Sequence, residues 1–97
     1  MLEEGIYLNC LYDYYGELFT EKQKLYFEEY YFNNLTLAEI SENYEVSRNA
    51  VHKNIKETTL KLLEYEEKLK LYEKACNLRK IIENLDKNIK EQIEKWI

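Results

Sequence analysis

Leu35-Thr36-Leu37-Ala38-Glu39-Ile40-Ser41-Glu42-Asn43-Tyr44-Glu45-Val46-Ser47-Arg48-Asn49-Ala50-Val51-His52-Lys53-Asn54-Ile55 is the stretch whose reading decides the fold. Thr36 followed by Glu39 forms a capping box: the hydroxyl accepts a backbone N–H of the first turn, and the carboxylate reaches back to the cap's own N–H. Leu37, Ile40 and Ser41 follow with helical spacing. Asn43-Tyr44-Glu45 predicts a short turn, plugged by Val46. Ser47 then caps a second helix. Its inner face is Ala50, Val51 and Ile55; its outer face is Arg48, Asn49, His52, Lys53 and Lys56. Small and branched residues inward, with amides and cations outward at the N-terminal end, are what a helix-turn-helix needs to present a recognition helix.

Upstream, Tyr7, Leu11, Tyr14 and Leu18 recur with spacings of 4, 3 and 4, and predict one apolar face of a helix over residues 6–18, weakened near Gly16. Thr20 with Gln23 opens a second capping box, so the next helix runs from Glu21 to Phe32 with Tyr26, Phe27, Tyr30 and Tyr31 on an aromatic side. Asn33-Asn34 stops it, because Asn tolerates the left-handed conformation common at helix ends. Downstream, Val51, Ile55, Thr58, Leu62, Tyr65, Leu69, Tyr72 and Cys76 keep alternating spacings of 4 and 3, a coiled-coil-like seam. The phase then fails, and a new seam begins at Leu78, Ile82, Leu85, Ile89, Gln92 and Trp96, with Ile81 and Ile93 alongside. The stripe therefore jumps around the helix near residues 73–78: either the helix bends or turns there, or two helices use two different partners.

Composition narrows the class. Ninety-seven residues without proline and with only Gly5 and Gly16 as glycines predict one small, all-α chain with short connections. It divides into a helix-turn-helix domain over residues 1–60 and a helical extension over 61–97. The net charge is −5, but unevenly placed. Before Arg48 the only bases are Lys22 and Lys24, whereas residues 48–62 carry Arg48, Lys53, Lys56 and Lys61 against Glu57 alone. An acidic body does not suit indiscriminate nucleic-acid binding, but a basic helix set on it can hold a polyanion locally. No apolar run is long enough to span a membrane, and the acidic start predicts no secretory signal. Cys10 and Cys76 match no C-x-x-C pattern and read as small buried hydrophobes of a reducing cytoplasm.

Enzymatic chemistry lacks its parts. His52 is the only histidine and has no cysteine partner in sequence, so neither a metal site nor a catalytic triad is expected. The two isolated glycines exclude a phosphate-cradling loop, and no cofactor is expected. The carboxylates fall on polar helix faces, where solvation accounts for them. Ten tyrosines at helical spacing read as core and core rim. A base-stacking platform needs exposed aromatics beside basic residues, and the tyrosines before residue 44 lie among acids.

Several of these motifs together resemble a known family. Leu18-x-Thr20-Glu21-Lys22-Gln23, then Glu29-Tyr30-Tyr31, Leu35 through Ser41, and Val46-Ser47-Arg48-x-Ala50-Val51 resemble region 4 of bacterial sigma factors. The closer resemblance is to the YlxM family of small bacterial helix-turn-helix proteins. It continues from Ile55-Lys56 through Leu62-Leu63-Glu64-Tyr65-Glu66-Glu67-Lys68-Leu69, and residues 73–97 carry none of it. YlxM genes generally lie beside those for the GTPases of the signal recognition particle. The resemblance thus implies a non-enzymatic regulatory or accessory role in that pathway; the sigma likeness implies DNA binding. Two positions depart from the pattern. Asn49 stands where Gln is expected, with shorter reach to adenine. Glu45 occupies a turn position where many helix-turn-helices have Gly.

The reading is a cytoplasmic protein that binds DNA or the particle's RNA through Arg48, Asn49, His52, Lys53 and Lys56. A conventional DNA-binding transcription regulator and a protein-interaction adaptor are the rivals. A homodimer is expected through Leu62, Tyr65, Leu69, Tyr72, Leu78, Ile82, Leu85 and Ile89. The alternative to that dimer is an intramolecular hairpin turning near Asn77.

Overall fold

A computed structural model describes residues 2–97, with side chains from Glu4 onward. Met1, the first residue of the expected helix-turn-helix domain, lies outside that range. The described residues form six α-helices and no strand: α1 (Leu2–Tyr15), α2 (Glu21–Tyr31), α3 (Leu37–Tyr44), α4 (Arg48–Leu69), α5 (Leu71–Ile81) and α6 (Lys87–Glu94). A single 3₁₀ turn, Gly16–Leu18, joins α1 to α2. The all-α helix-turn-helix architecture is thus the one the sequence predicts. Both capping boxes form: the hydroxyls of Thr20 and Thr36 accept from the backbone N–H of Gln23 and Glu39, and those side chains accept from the cap N–H groups. Ser47 caps α4 by accepting from the Ala50 N–H at 3.0 Å.

The core is two clusters strung along α4. One packs Tyr26, Ile40, Val51 and Ile55, with Leu35, Leu37 and Val46 at its edge, and holds α2, α3 and the start of α4 together as the helix-turn-helix. The other packs Leu8, Leu11, Tyr15, Phe19 and Phe27 around Leu62, further along α4. Each fully buried side chain of this size contributes about 1.5–3 kcal/mol. Thr58, between the clusters, is buried with its hydroxyl donating to the Asn54 carbonyl at 3.0 Å.

Four features differ from the sequence expectation. The buried face of α1 is Leu8, Leu11 and Tyr15, one residue on from Tyr7, Tyr14 and Leu18; Tyr7 and Leu18 are exposed. The 3₁₀ turn shifts the register there, so Phe19 enters the core in place of Leu18. Ala50 faces solvent, since Val51 and Ile55 alone fill the space behind α4. The long seam is not one helix. α4 stops at Leu69, where Lys70 takes a left-handed conformation (φ 56°), and the chain turns into α5. Asn77, expected at a hairpin turn, lies inside α5. The second break falls at residues 82–86, beyond the predicted phase jump.

Buried Glu66 is what secures the first bend. Its carboxylate accepts from the Tyr15 hydroxyl at 2.7 Å and from the backbone N–H groups of Tyr72 and Glu73 at 3.1 and 3.0 Å. The Tyr15 hydroxyl in turn accepts from the Leu71 N–H at 3.1 Å. The opening N–H groups of α5, which lack helical partners, are thus satisfied by α1 and α4 side chains. The same anion sits at the positive end of the α5 dipole. Beyond it, α6 buries no side chain. The radius of gyration is 16.4 Å and the extents are 52 × 25 × 24 Å, against about 13 Å for a compact domain of this length. α5 stays against the body through Tyr72 and Ala75, and α6 projects beyond it as an arm.

Candidate nucleic-acid interface

The outer face of α4 starts from its cap. Ser47 closes the helix N-terminus with a neutral hydroxyl, and the first turn contains no acidic residue. Arg48 is the first helical residue, so a cation stands at the positive end of the dipole, a placement disfavoured by about 0.3–1 kcal/mol in isolation. An anion docked there reverses the sign. Arg48, Asn49, His52, Lys53 and Lys56 are all exposed. Among the described residues, Arg48, Lys53 and Lys56 make no ion pair, whereas Lys61 and Lys68 further along α4 both pair with Glu64, at 3.3 and 2.9 Å. The cations at the helix-turn-helix end are therefore uncompensated and those past it are neutralised locally. Those two bridges, with the Lys68 hydrogen bond foremost, hold the Glu64 carboxyl below its usual range.

The five residues do not form one flat face. Arg48, His52 and Lys56 follow one another at four-residue intervals and line grooves against α2; Asn49 and Lys53 are not among those linings. The opposite wall is Tyr30 and Tyr31. Acids are neighbours of these tyrosines in sequence, yet Glu28 and Glu29 are taken up elsewhere: Glu28 accepts from the Tyr12 hydroxyl at 2.7 Å, and Glu29 from Asn33 and Tyr44. Tyr30 and Tyr31 are thus residues of the candidate site that sequence reasoning assigned to the core rim. Their only sequence signal is the extra aromatic pair on α2, which exceeds what Tyr26 and Phe27 need to fill the core.

The turn before α4 adopts its geometry despite lacking Gly. Glu45 takes the left-handed conformation (φ 55°), and the Glu45 and Val46 N–H groups both donate to the Ser41 carbonyl. A residue with a Cβ there costs about 1–2 kcal/mol, and the turn it makes sets Val46 against the edge of the core.

Of the residues expected at a dimer interface, Leu62 is fully buried in its own chain, Ile82 is buried, and Tyr65 and Tyr72 pack against the α1 cluster. This corrects the expectation for Leu62 in particular, which has no surface left to offer. Leu69, Leu78, Leu85 and Ile89 are exposed. No group of three or more His, Cys, Asp or Glu side chains able to hold a metal occurs among the described residues. Cys10 and Cys76 are free thiols, half-buried. None of the described helices is long and apolar enough to cross a membrane.

Comparison with known proteins agrees with this architecture. A family model, UPF0122, described as "Putative helix-turn-helix protein, YlxM / p13 like", matches residues 2–96, which corrects the expectation that residues 73–97 carry none of the resemblance. A UPF0122 protein of Oceanobacillus iheyensis is 46% identical over 100 residues, covering 98% of this chain and 95% of the relative. A UPF0122 protein of Shouchella clausii is 45% identical, covering 92% of this chain and 82% of its own. One from Bacillus cereus is 44% identical, covering 95% and 84%.

Proposed function

The chain belongs to the UPF0122 family of YlxM/p13-like helix-turn-helix proteins, and from that premise we propose that it is a non-enzymatic regulatory or accessory protein that binds nucleic acid through the outer face of α4. The observation that carries this reading is the uncompensated set Arg48, Lys53 and Lys56, grouped with Asn49 and His52 at the N-terminal end of the recognition helix. In a chain of net charge −5, cations left unpaired at one end of α4 fit a polyanion better than they fit solvent. A link to the signal recognition particle, with DNA or the particle's RNA as ligand, follows from the YlxM resemblance and belongs to the same proposal. So do a cytoplasmic location and a homodimer, the latter supported by the exposed apolar residues of the arm.

Replacing Lys53 and Lys56 with Ala tests the surface. Each lost phosphate contact lowers the magnitude of the log–log salt slope by about 0.9 on duplex DNA, with affinity falling uniformly across sequences. Binding that does not change at any salt concentration refutes α4 as the contact surface. Recovery of the protein from lysate, with and without nuclease, separates a nucleic-acid-bridged partner from a direct protein contact. A signal recognition particle component that persists after nuclease supports the adaptor reading instead.

A further inference from the structure

We propose that the groove between α2 and α4 binds a single-stranded stretch of nucleic acid, its unpaired bases stacking on Tyr30 while Arg48, His52 and Lys56 follow the backbone. The inference rests on the reading of α4 as a nucleic-acid surface and names the form of ligand that surface takes. The fold, and not the sequence order, puts the parts together. A cavity of about 760 Å³ lies between α1, α2 and the start of α3, with Arg48 at its edge. A smaller one of about 200 Å³ lies along α4 at His52, Lys56 and Thr59. Tyr30, Tyr31 and Leu37 line both, so the two cavities adjoin at the tyrosines.

Three properties of this groove match a single strand. The first is an aromatic platform that is rigid on one side and open on the other. Tyr31 packs on buried Phe27 with ring centroids 4.6 Å apart, and Tyr30 meets Tyr31 edge-on at 4.9 Å. Tyr30 itself is 37% exposed. Stacking on such a ring is indifferent to base identity, because every base has a π-face. The second is a line of nitrogenous groups. Arg48, His52 and Lys56 are separated by about 6 Å of rise per step along α4, a spacing an extended sugar–phosphate chain can follow. Among the described residues, Glu4 is the one acid on these walls. The third is an unused acceptor: Asn9 lines the larger cavity, and its Oδ1 has no hydrogen-bond partner among the described residues. Buried polar atoms are rarely left unpaired, and rotation of this amide toward the cavity would let an exocyclic amine of a base supply the donor.

The shape argues against a duplex here. A recognition helix enters a major groove as a convex ridge. Arg48, His52 and Lys56 line a concave one, and only Asn49 and Lys53 stay outside it.

The test uses the full chain with a fluorescein-labelled oligouridylate, an oligothymidylate of the same length, and a duplex of that length, each followed by fluorescence anisotropy. Tyr30→Ala weakens both single strands roughly 5- to 150-fold, the effect of losing one stacked base, and leaves the duplex unaffected. Tyr30→Phe, which keeps the ring, restores the affinity. The thermal midpoint of Tyr30→Ala is measured alongside, so that loss of fold is separated from loss of stacking. Single-strand affinity equal in wild type and a folded Tyr30→Ala overturns the groove. If Lys53 and Lys56 still matter then, α4 as a nucleic-acid surface survives. Absence of binding to all three probes overturns both.

Discussion

At the scale of single residues, two positions show how little freedom the core leaves. Gly16 has no left-handed backbone to justify it. A Cβ there would lie 3.1–3.3 Å from the Tyr12 ring. That ring is stacked on Phe27 at 4.4 Å and its hydroxyl is held by Glu28, so it cannot retreat. Gly16→Ala should therefore cost about 1–3 kcal/mol, lowering the thermal midpoint by roughly 4–8 °C per kcal/mol; an unchanged midpoint would contradict this packing. Tyr15 carries a pH signature. Burial, then its hydrogen bond to Glu66, push its phenol up to about 12 from an ordinary 10. The folded state thus retains a proton that the unfolded state releases. The stabilisation is complete below pH 10 and declines as pH rises toward 12. Tyr12 and Tyr72 are shifted in the same direction and add to the decline. Denaturant titrations at pH 9 to 11.5 should show wild type losing more stability than Tyr15→Phe, by up to about 2 kcal/mol. Parallel curves for the two proteins would show that Tyr15 gives up its proton as readily folded as unfolded.

At the scale of elements, α5 owes its start to side chains from elsewhere in the chain. Lys70 precedes it in a left-handed conformation and offers no side-chain cap. Glu66 and Tyr15 take that role. Sequence patterning could not find this. Glu66 lies one position beyond Tyr65 in a predicted solvent-facing row, and a carboxylate in a heptad-like helix reads as solvated surface. Only the approach of α1 on one side and the α5 N-terminus on the other makes burial tolerable, because every partner is a donor. Glu66→Ala should free the Tyr72 and Glu73 amides, and hydrogen exchange there should quicken at least tenfold while the α3–α4 amides keep their protection. Uniform loss of protection would mean that Glu66 supports the whole fold and not the bend. The same bend explains why the Val51–Cys76 seam looked continuous: Tyr65 and Tyr72 both face α1, one from each side of Lys70.

At the scale of the whole molecule, the chain is a packed body with an arm that has little to pack on. Leu78, Ile81, Leu85, Ile89 and Trp96 are exposed along α5, α6 and the residues after them, Trp96 at 88%. Isolated surface leucines need no explanation, but five exposed large apolar side chains within nineteen residues do. If a second copy covers it, Leu85→Lys with Ile89→Lys should halve the mass seen by light scattering at about 100 μM, enough to populate a micromolar dimer. The double variant should also melt at the same midpoint as the wild-type body, since neither side chain is buried. A wild-type monomer at that concentration would refute the dimer.

The sequence by itself determined the elements that rest on local chemistry. Two capping boxes, the Ser47 cap and the Val51–Ile55 pair specify the helix-turn-helix within a few residues of chain, because hydroxyl caps and helical periodicity act over single turns. It also determined which cations would be outward on α4. Tertiary structure alone decided the rest: the one-residue rotation of α1, the bend at Lys70, the burial of Glu66, and the meeting of Tyr30 with His52 and Lys56. Each depends on residues some 20 to 50 positions apart arriving at one place. Periodicity reports which face of a helix is apolar, and says nothing of what comes to cover it.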